Sequence, residues 1–162
     1  MLRVNALQSI KIFGLWDQPR NIVDWNDIKH LKWHELRKEY NFSAEELHLL
    51  QPNKHEWLKR GQLALCDLPE MTIFPVNPYE DLNADLSEVW SMQWDVDMWC
   101  KMQITYAQMR KCGLTASIMR VMGLELSDWA KLHMSADDVT DEIAAMFGMP
   151  ASECRQILVD YK

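Results

Sequence analysis

The sequence predicts an all-α fold: an array of short helices with duplicated helix-turn-helix-like units, plus a short strand-like N-terminal arm. Three observations predict it. A local pattern occurs three times, at 36–50, 109–122 and 143–157. Each copy is an apolar helix tail, an Asn or Gly, one apolar residue, Ser/Thr/Pro, Ala, and a new apolar helical stripe. Trp57 follows Phe42 by 15 residues and Trp129 follows Leu114 by 15, with Lys59 matching Lys131 and Ala64 matching Ala136, an internal duplication offset by about 72 residues. Finally, a hydrophobic content of 48%, with 8 Trp and 11 Met against only 5 Gly, supplies a core without low-complexity stretches.

The recurring pattern has a physical cause. Asn41, Gly113 and Gly148 stand where a helix leaves its path through a left-handed residue, the conformation Gly and Asn tolerate best. Phe42, Leu114 and Met149 then pack back on the helix just ended. Ser43 and Thr115 accept from the unpaired N–H groups of the next first turn, and Pro150 suits a first helical position.

In chain order, residues 1–23 form the arm. Ser9 to Trp16 is β-like, ended by Gly14 and Gln18-Pro19, with Ile10, Ile12, Phe13 and Trp16 as apolar anchors. Residues 24–72 form the first helical unit. Asp24 or Asn26 opens a helix to about Tyr40, Ser43 caps a second that ends before Pro52, and a third carries Trp57 to Gly61. Residues 73–79, with Pro75 and Pro78, form a rigid extended linker, because proline biases its predecessor away from helix.

Residues 80–162 form the second unit. Leu82, Leu86, Trp90, Trp94 and Met98 fall at successive i+4 steps and predict one amphipathic helix or two over 80–100. Short helices follow at about 103–112, 115–122, 127–133, 136–147 and 151–161, with Ser135 as N-cap of the fourth.

Charge is unevenly spread. The net charge is -7, and no Lys or Arg falls between Gly61 and Cys100, a stretch rich in Asp and Glu. No apolar run approaches the roughly 20 residues of a membrane helix. Arg3, Asn5, Gln8 and Lys11 argue against a secretory leader, and Cys66, Cys100, Cys112 and Cys154 read as reduced thiols of an intracellular or virion-interior protein.

No catalytic constellation emerges: there is no Gly-rich phosphate loop, Gly-x-Ser-x-Gly or His-Glu-x-x-His. His30 and His34 are spaced i, i+4, yet no Cys or His cluster completes a zinc set around them. The expectation is therefore no enzyme, no cofactor and no metal site. Residues 138–160 resemble a generic helix-turn-helix, through Ala145, Gly148 and Ile157-Leu158. That resemblance implies trihelical packing, but its second helix offers only Arg155 beside Glu153 and Asp160, a surface that repels a phosphate backbone. Arg110, Lys111 and Arg120 of the second copy suit nucleic acid better.

The expected function is a non-enzymatic protein–protein interaction or structural role in an assembly. The candidate partner-binding residues are Ile10, Ile12, Phe13 and Trp16 of the arm and Asp85, Glu88, Trp90, Trp94 and Trp99 of the acidic segment. Their partner is another protein subunit, itself or a basic one. Serial decamers of apolar–Ser/Thr–x–x–x–apolar resemble helical arrays encoded by large DNA viruses and phages, which implies a minor structural or capsid-associated assembly protein. The alternatives are a helix-turn-helix nucleic-acid-binding regulator and a host-directed adaptor or inhibitor.

Overall fold

The computed structural model describes residues 2–3, 22–23, 25–71 and 74–161. The fold is all-α, and the chain divides into two units, Met1–Val76 and Asn77–Lys162, a boundary that falls inside the Pro-rich segment 73–79.

The first unit contains β1 (Leu2–Arg3), β2 (Ile22–Val23), α1 (Trp25–Ile28), α2 (Trp33–Lys38), α3 (Ala44–Leu50), α4 (Lys54–Lys59) and a 3-10 helix at Leu65–Glu70. β1 and β2 pair antiparallel, Leu2 opposite Val23 and Arg3 opposite Ile22, so the two ends of the arm segment meet. The expected strand at Ser9–Trp16, with Ile10, Ile12, Phe13 and Trp16, lies outside the described residues.

The helix expected from 24 to 40 is two helices. The Trp33 N–H leaves the helical ladder and donates to the Gln62 carbonyl at 2.9 Å, while the Gln62 amide donates back to the Leu31 carbonyl. A tertiary pairing thus replaces the local one. α2 restarts at Trp33, with the Glu35 carboxylate accepting from the Lys32 N–H at 2.7 Å.

The core of this unit is aromatic. Trp33 and Trp57 are fully buried and meet edge-on at 4.9 Å, and Trp25 stands 4.5 Å from Trp57. Each buried indole finds an acceptor, Trp57 on the Gln51 carbonyl and Trp33 on Glu70 Oε2. Glu70 Oε2 also accepts from Arg37 Nε at 2.8 Å, so one carboxylate clamps α2 to the 3-10 helix. Burial pushes the Glu70 carboxyl up, but the bonds from Arg37 and Trp33 outweigh it and hold the group below the usual carboxylate range. His48 sits between Trp33 and Phe74 at 5.2 and 5.1 Å, and burial lowers its pKa.

The second unit contains α5 (Leu86–Ser91), α6 (Val96–Lys101), α7 (Tyr106–Lys111), α8 (Ala116–Met122), α9 (Leu126–Lys131), a 3-10 turn at Ala136–Asp138, α10 (Asp141–Met146) and α11 (Ala151–Asp160). Its grammar has a period of ten. Positive φ occurs at Asn83, Gln93, Gln103, Gly113, Gly123 and His133. Two residues after each comes the residue that opens the next helix: Asp85, Asp95, Thr105, Thr115, Glu125 and Ser135. Four residues further on comes the core: Val89, Trp99, Met109, Met119, Trp129 and Val139 are all at most 4% exposed.

Each turn closes the helix before it. The Gly113 N–H donates to the Arg110 carbonyl and the Leu114 N–H to the Met109 carbonyl, and Gln103–Ile104 and His133–Met134 repeat this pair of bonds. A six-residue helix is too short to be stable alone, so each depends on its caps and its neighbours. The neighbours that matter lie about thirty residues, or three repeats, away. The Tyr106 N–H donates to the Leu132 carbonyl at 2.7 Å, and Cys100 Sγ lies 3.8 Å from the Lys131 carbonyl oxygen.

The i+4 stripe expected over 80–100 is therefore not one face of a continuous helix. Gln93 at φ 56° ends α5 and Asp95 opens α6, which buries Val89 and Trp99 and leaves Trp90 outside. The helix expected over 136–147 is also divided. Asp138 turns back to accept from the Ser135 N–H at 2.8 Å, and Thr140 caps α10 afresh. Pro150 stands one position earlier than expected, as the N-cap residue of α11.

The two units share local features at the positions matched by the repeat. The aromatic first residue of a helix packs edge-on against a buried tryptophan in each: Trp33 on Trp57, and Tyr106 on Trp129 at 5.9 Å. The Arg37 guanidinium donates to the Phe42 carbonyl, and the Arg110 guanidinium to the Leu114 carbonyl. Trp57 and Trp129 are both fully buried.

Three substitutions test this account. Gly113 has φ +97° and a Cβ there would meet no atom within 4 Å, so Gly113→Ala costs about 1 kcal/mol by backbone strain alone. Gln103→Gly, at the equivalent turn, gains about 0.5 kcal/mol by relieving that strain, both changes read by urea denaturation. Glu70→Ala costs about 1–2 kcal/mol, its ion pair being half-exposed and screened while the Trp33 indole N–H is left without an acceptor. Because the Glu70 pKa is lowered on folding, this contribution is complete above the ordinary carboxylate range and is lost as pH falls below it. The wild-type-to-variant gap in denaturation midpoint accordingly narrows between neutral pH and pH ~3.

Candidate functional site

The helices of the second unit that stand three repeats apart leave an open apolar groove between them. Leu86 and Trp90 of α5 form one wall, and Ile118, Val121 and Met122 of α8 the other, with Asp85 on the rim. The groove encloses about 540 Å³. Its two most exposed apolar side chains are Val121, at 80%, and Trp90, at 42%. The lining polar side chains (Asp85, Ser87, Cys112 and Ser117) are few beside this apolar surface, which suits an apolar occupant better than a polar metabolite.

The turns put these residues there. In α5 the core position is Val89, so its neighbour Trp90 is rotated about 100° away and emerges beside it. In α8 Met119 takes the core position and Val121 points outward in the same manner. Trp90 also walls a second hollow of about 350 Å³ with Trp94, Trp99, Leu124, Asp97 and Lys131. The Trp90 and Trp99 rings lie 6.2 Å apart.

The structure thus brings Trp90, Trp94 and Trp99 together, but in three different roles. Trp99 is a core residue, 2% exposed, Trp94 is half-buried, and Trp90 alone of the three is open to a partner. Asp85 and Glu88 are exposed and form a reciprocal cap: the Asp85 carboxylate accepts from the Glu88 N–H at 2.8 Å, and the Glu88 carboxylate from the Asp85 N–H at 2.8 Å. The bond from the Glu88 N–H, then that from the Ser87 hydroxyl, lower the Asp85 pKa. These two acids hold α5 as well as charging the rim. Ile118, Val121 and Met122 were not singled out from the sequence. The signal was the period of ten, which sets α5 and α8 three repeats apart.

The segment expected to resemble a helix-turn-helix forms two helices, α10 and α11, joined through Gly148 at φ +68°. Its Arg155 donates to the Val139 carbonyl at 3.1 Å, within the unit. Asn77–Lys162 carries 14 Asp and Glu against 7 Lys and Arg, so the whole formal charge of -7 resides on this unit and the first is balanced.

His30 and His34 do not share a helix: His30 lies in the turn after α1 and His34 on α2. Instead His34 meets Cys66 and Asp67, the metal-ligating side chains that converge among the described residues. Cys66 and Asp67 lie too far along the chain from His34 for spacing to reveal this convergence. Burial, then the Asp67 charge, push the Cys66 thiol up, which makes it a poor nucleophile by itself.

Compared with known proteins, the chain matches no family model, no curated protein and no solved structure. No described helix is long and apolar enough to cross a membrane.

The capping role of Asp85 is separable from its charge. Asp85→Ala lowers the thermal midpoint, whereas Asp85→Asn, which still caps, leaves it near that of the wild type. Differential scanning calorimetry of the two variants checks this.

Proposed function

We propose that this protein is a non-enzymatic docking protein whose second unit receives an amphipathic, basic helix of a partner protein. The observation that carries the reading is the apolar groove between α5 and α8, with Trp90 and Val121 exposed on its walls. An exposed tryptophan beside an apolar cleft is the residue type that dominates binding energy at protein interfaces. The groove spans short helices held at fixed separation, a geometry into which an apolar helical stripe can lie. The charge of the unit supports a basic partner, since complementary rims steer association and set its salt dependence. Four free thiols suit a reducing interior as the compartment of this activity. The finer form of the reading, a minor structural or assembly protein of a virus particle, rests on the decameric sequence pattern alone.

The test uses a fluorescent synthetic helix with leucines on one face and lysines on the other, titrated with the full chain. Saturable micromolar binding that weakens with salt is expected. Trp90→Ala and Val121→Asp, at exposed positions, abolish it while leaving the circular dichroism spectrum intact. Asp85→Asn with Glu88→Gln keeps the helix cap and reduces the salt dependence. Binding that persists in the Trp90/Val121 double variant overturns the reading, as does tight salt-sensitive binding of duplex DNA in place of the peptide.

A further inference from the structure

We propose that His34, Cys66 and Asp67 form a zinc site in the first unit. The inference is independent of the docking reading and rests on a different part of the chain.

His34 is carried by α2, and Cys66 and Asp67 by the 3-10 helix Leu65–Glu70. Their ligand atoms all lie within 4.8 Å of one another. His34 Nδ1 is 3.6 Å from Asp67 Oδ2, and the Cys66 thiol donates to Asp67 Oδ1 at 3.7 Å. Zinc binds nitrogen and oxygen at about 2.0–2.1 Å and sulfur at about 2.3 Å, so neighbouring donors of a tetrahedral site are roughly 3.3–3.6 Å apart. The separation of His34 Nδ1 from Asp67 Oδ2 has that spacing, and the Cys66 sulfur stands beside the other oxygen of the same carboxylate.

The local bonding points the same way. At 3.6 Å the imidazole and carboxylate are too far apart for a hydrogen bond. His34 Nδ1 is nevertheless shielded from solvent and has no hydrogen-bond partner. Asp67 is 4% exposed, a buried carboxylate whose Oδ2 is oriented by the Ala64 N–H at 2.8 Å. A cation bound among the three side chains satisfies the orphaned nitrogen and neutralises the buried acid together.

The donor set selects the metal. A thiolate and an imidazole beside one carboxylate favour zinc over magnesium or calcium, which take oxygen ligands. Cys66 is exposed, so an ion has an entry path and a fourth position remains for water. As the zinc–sulfur bond forms, the Cys66 thiol releases its proton to solvent.

The frame around the ligands is rigid. Trp33 and Arg37, on either side of His34 along α2, both donate to Glu70 at 2.8 Å, and Glu70 belongs to the same 3-10 helix as Cys66 and Asp67. The Trp33 N–H is bound to the Gln62 carbonyl, so the start of α2 is also fixed. The two ligand-bearing elements are locked together before any ion arrives, which keeps the ordering cost of binding low.

The experiment is a titration of the full chain, freed of metal by chelator, with cobalt(II) as a spectroscopic probe. One equivalent should produce the thiolate-to-cobalt charge-transfer band and the strong visible bands of four-coordinate cobalt, and zinc(II) should abolish both. Cys66→Ser removes the charge-transfer band and weakens zinc binding by on the order of a hundredfold. His34→Gln, at a half-exposed position, weakens zinc binding comparably, and Asp67→Asn does so while keeping an acceptor for the Ala64 N–H. Cys112→Ser leaves the spectrum unchanged. A wild-type protein without the charge-transfer band at saturating cobalt overturns the proposal, and so does a band that survives Cys66→Ser.

Discussion

Every tenth residue from Asn83 to His133 takes a positive φ, and the architecture of the second unit follows from where those residues fall. A left-handed residue ends a helix and turns its C-terminal N–H groups onto the carbonyls of the turn just completed. The next helix then opens two residues later. With about six helical residues rising about 9 Å, each repeat has room for only one or two buried core side chains. Val89, Trp99, Met109, Met119, Trp129 and Val139 fill those positions. A missing turn would lengthen one helix and rotate every later side chain out of register.

The first unit uses the same parts differently. Its turns at Asn41 and Gly61 match Gly113 and His133, and its arginine returns to the carbonyl after the turn as Arg110 does. Its core, however, is tied by polar bonds to indoles. Glu70 alone accepts from Trp33 and Arg37, and Gln62 spans to Leu31 and Trp33. A duplicated scaffold thus carries separate surfaces: a balanced unit holding the His34, Cys66 and Asp67 cluster, and an acidic unit holding an apolar groove.

The groove shows how a periodic scaffold produces a surface. The outer positions of α5 and α8, three repeats apart, line one groove. Trp90 follows a core valine, and Val121 stands two residues past a core methionine, so both are exposed because an adjacent position is buried. Asp85 and Glu88 satisfy the orphan N–H groups of α5, and their charge on the rim accompanies that structural duty. Removing charge without removing the cap is therefore the informative perturbation.

Turn chemistry and caps are local, and several of them were legible in the sequence, although the left-handed turns at Gln93, Gln103 and His133 were not. Gly113 and Gly148 take the expected left-handed conformation, Ser43 and Thr115 cap as their side chains dictate, and the buried pair Trp57 and Trp129 follows from their shared spacing. What depends on partners far along the chain was decided only by the tertiary structure. The Gln62 carbonyl divides the predicted helix at Trp33, Val89 and Trp99 displace Trp90 from the core, and the fold carries Cys66 and Asp67 to His34. A stop at Gly113 or Gly148 needs only the residues beside it. A groove or a ligand cluster is set by which repeats stack, and that is determined by the packing of side chains some thirty positions apart.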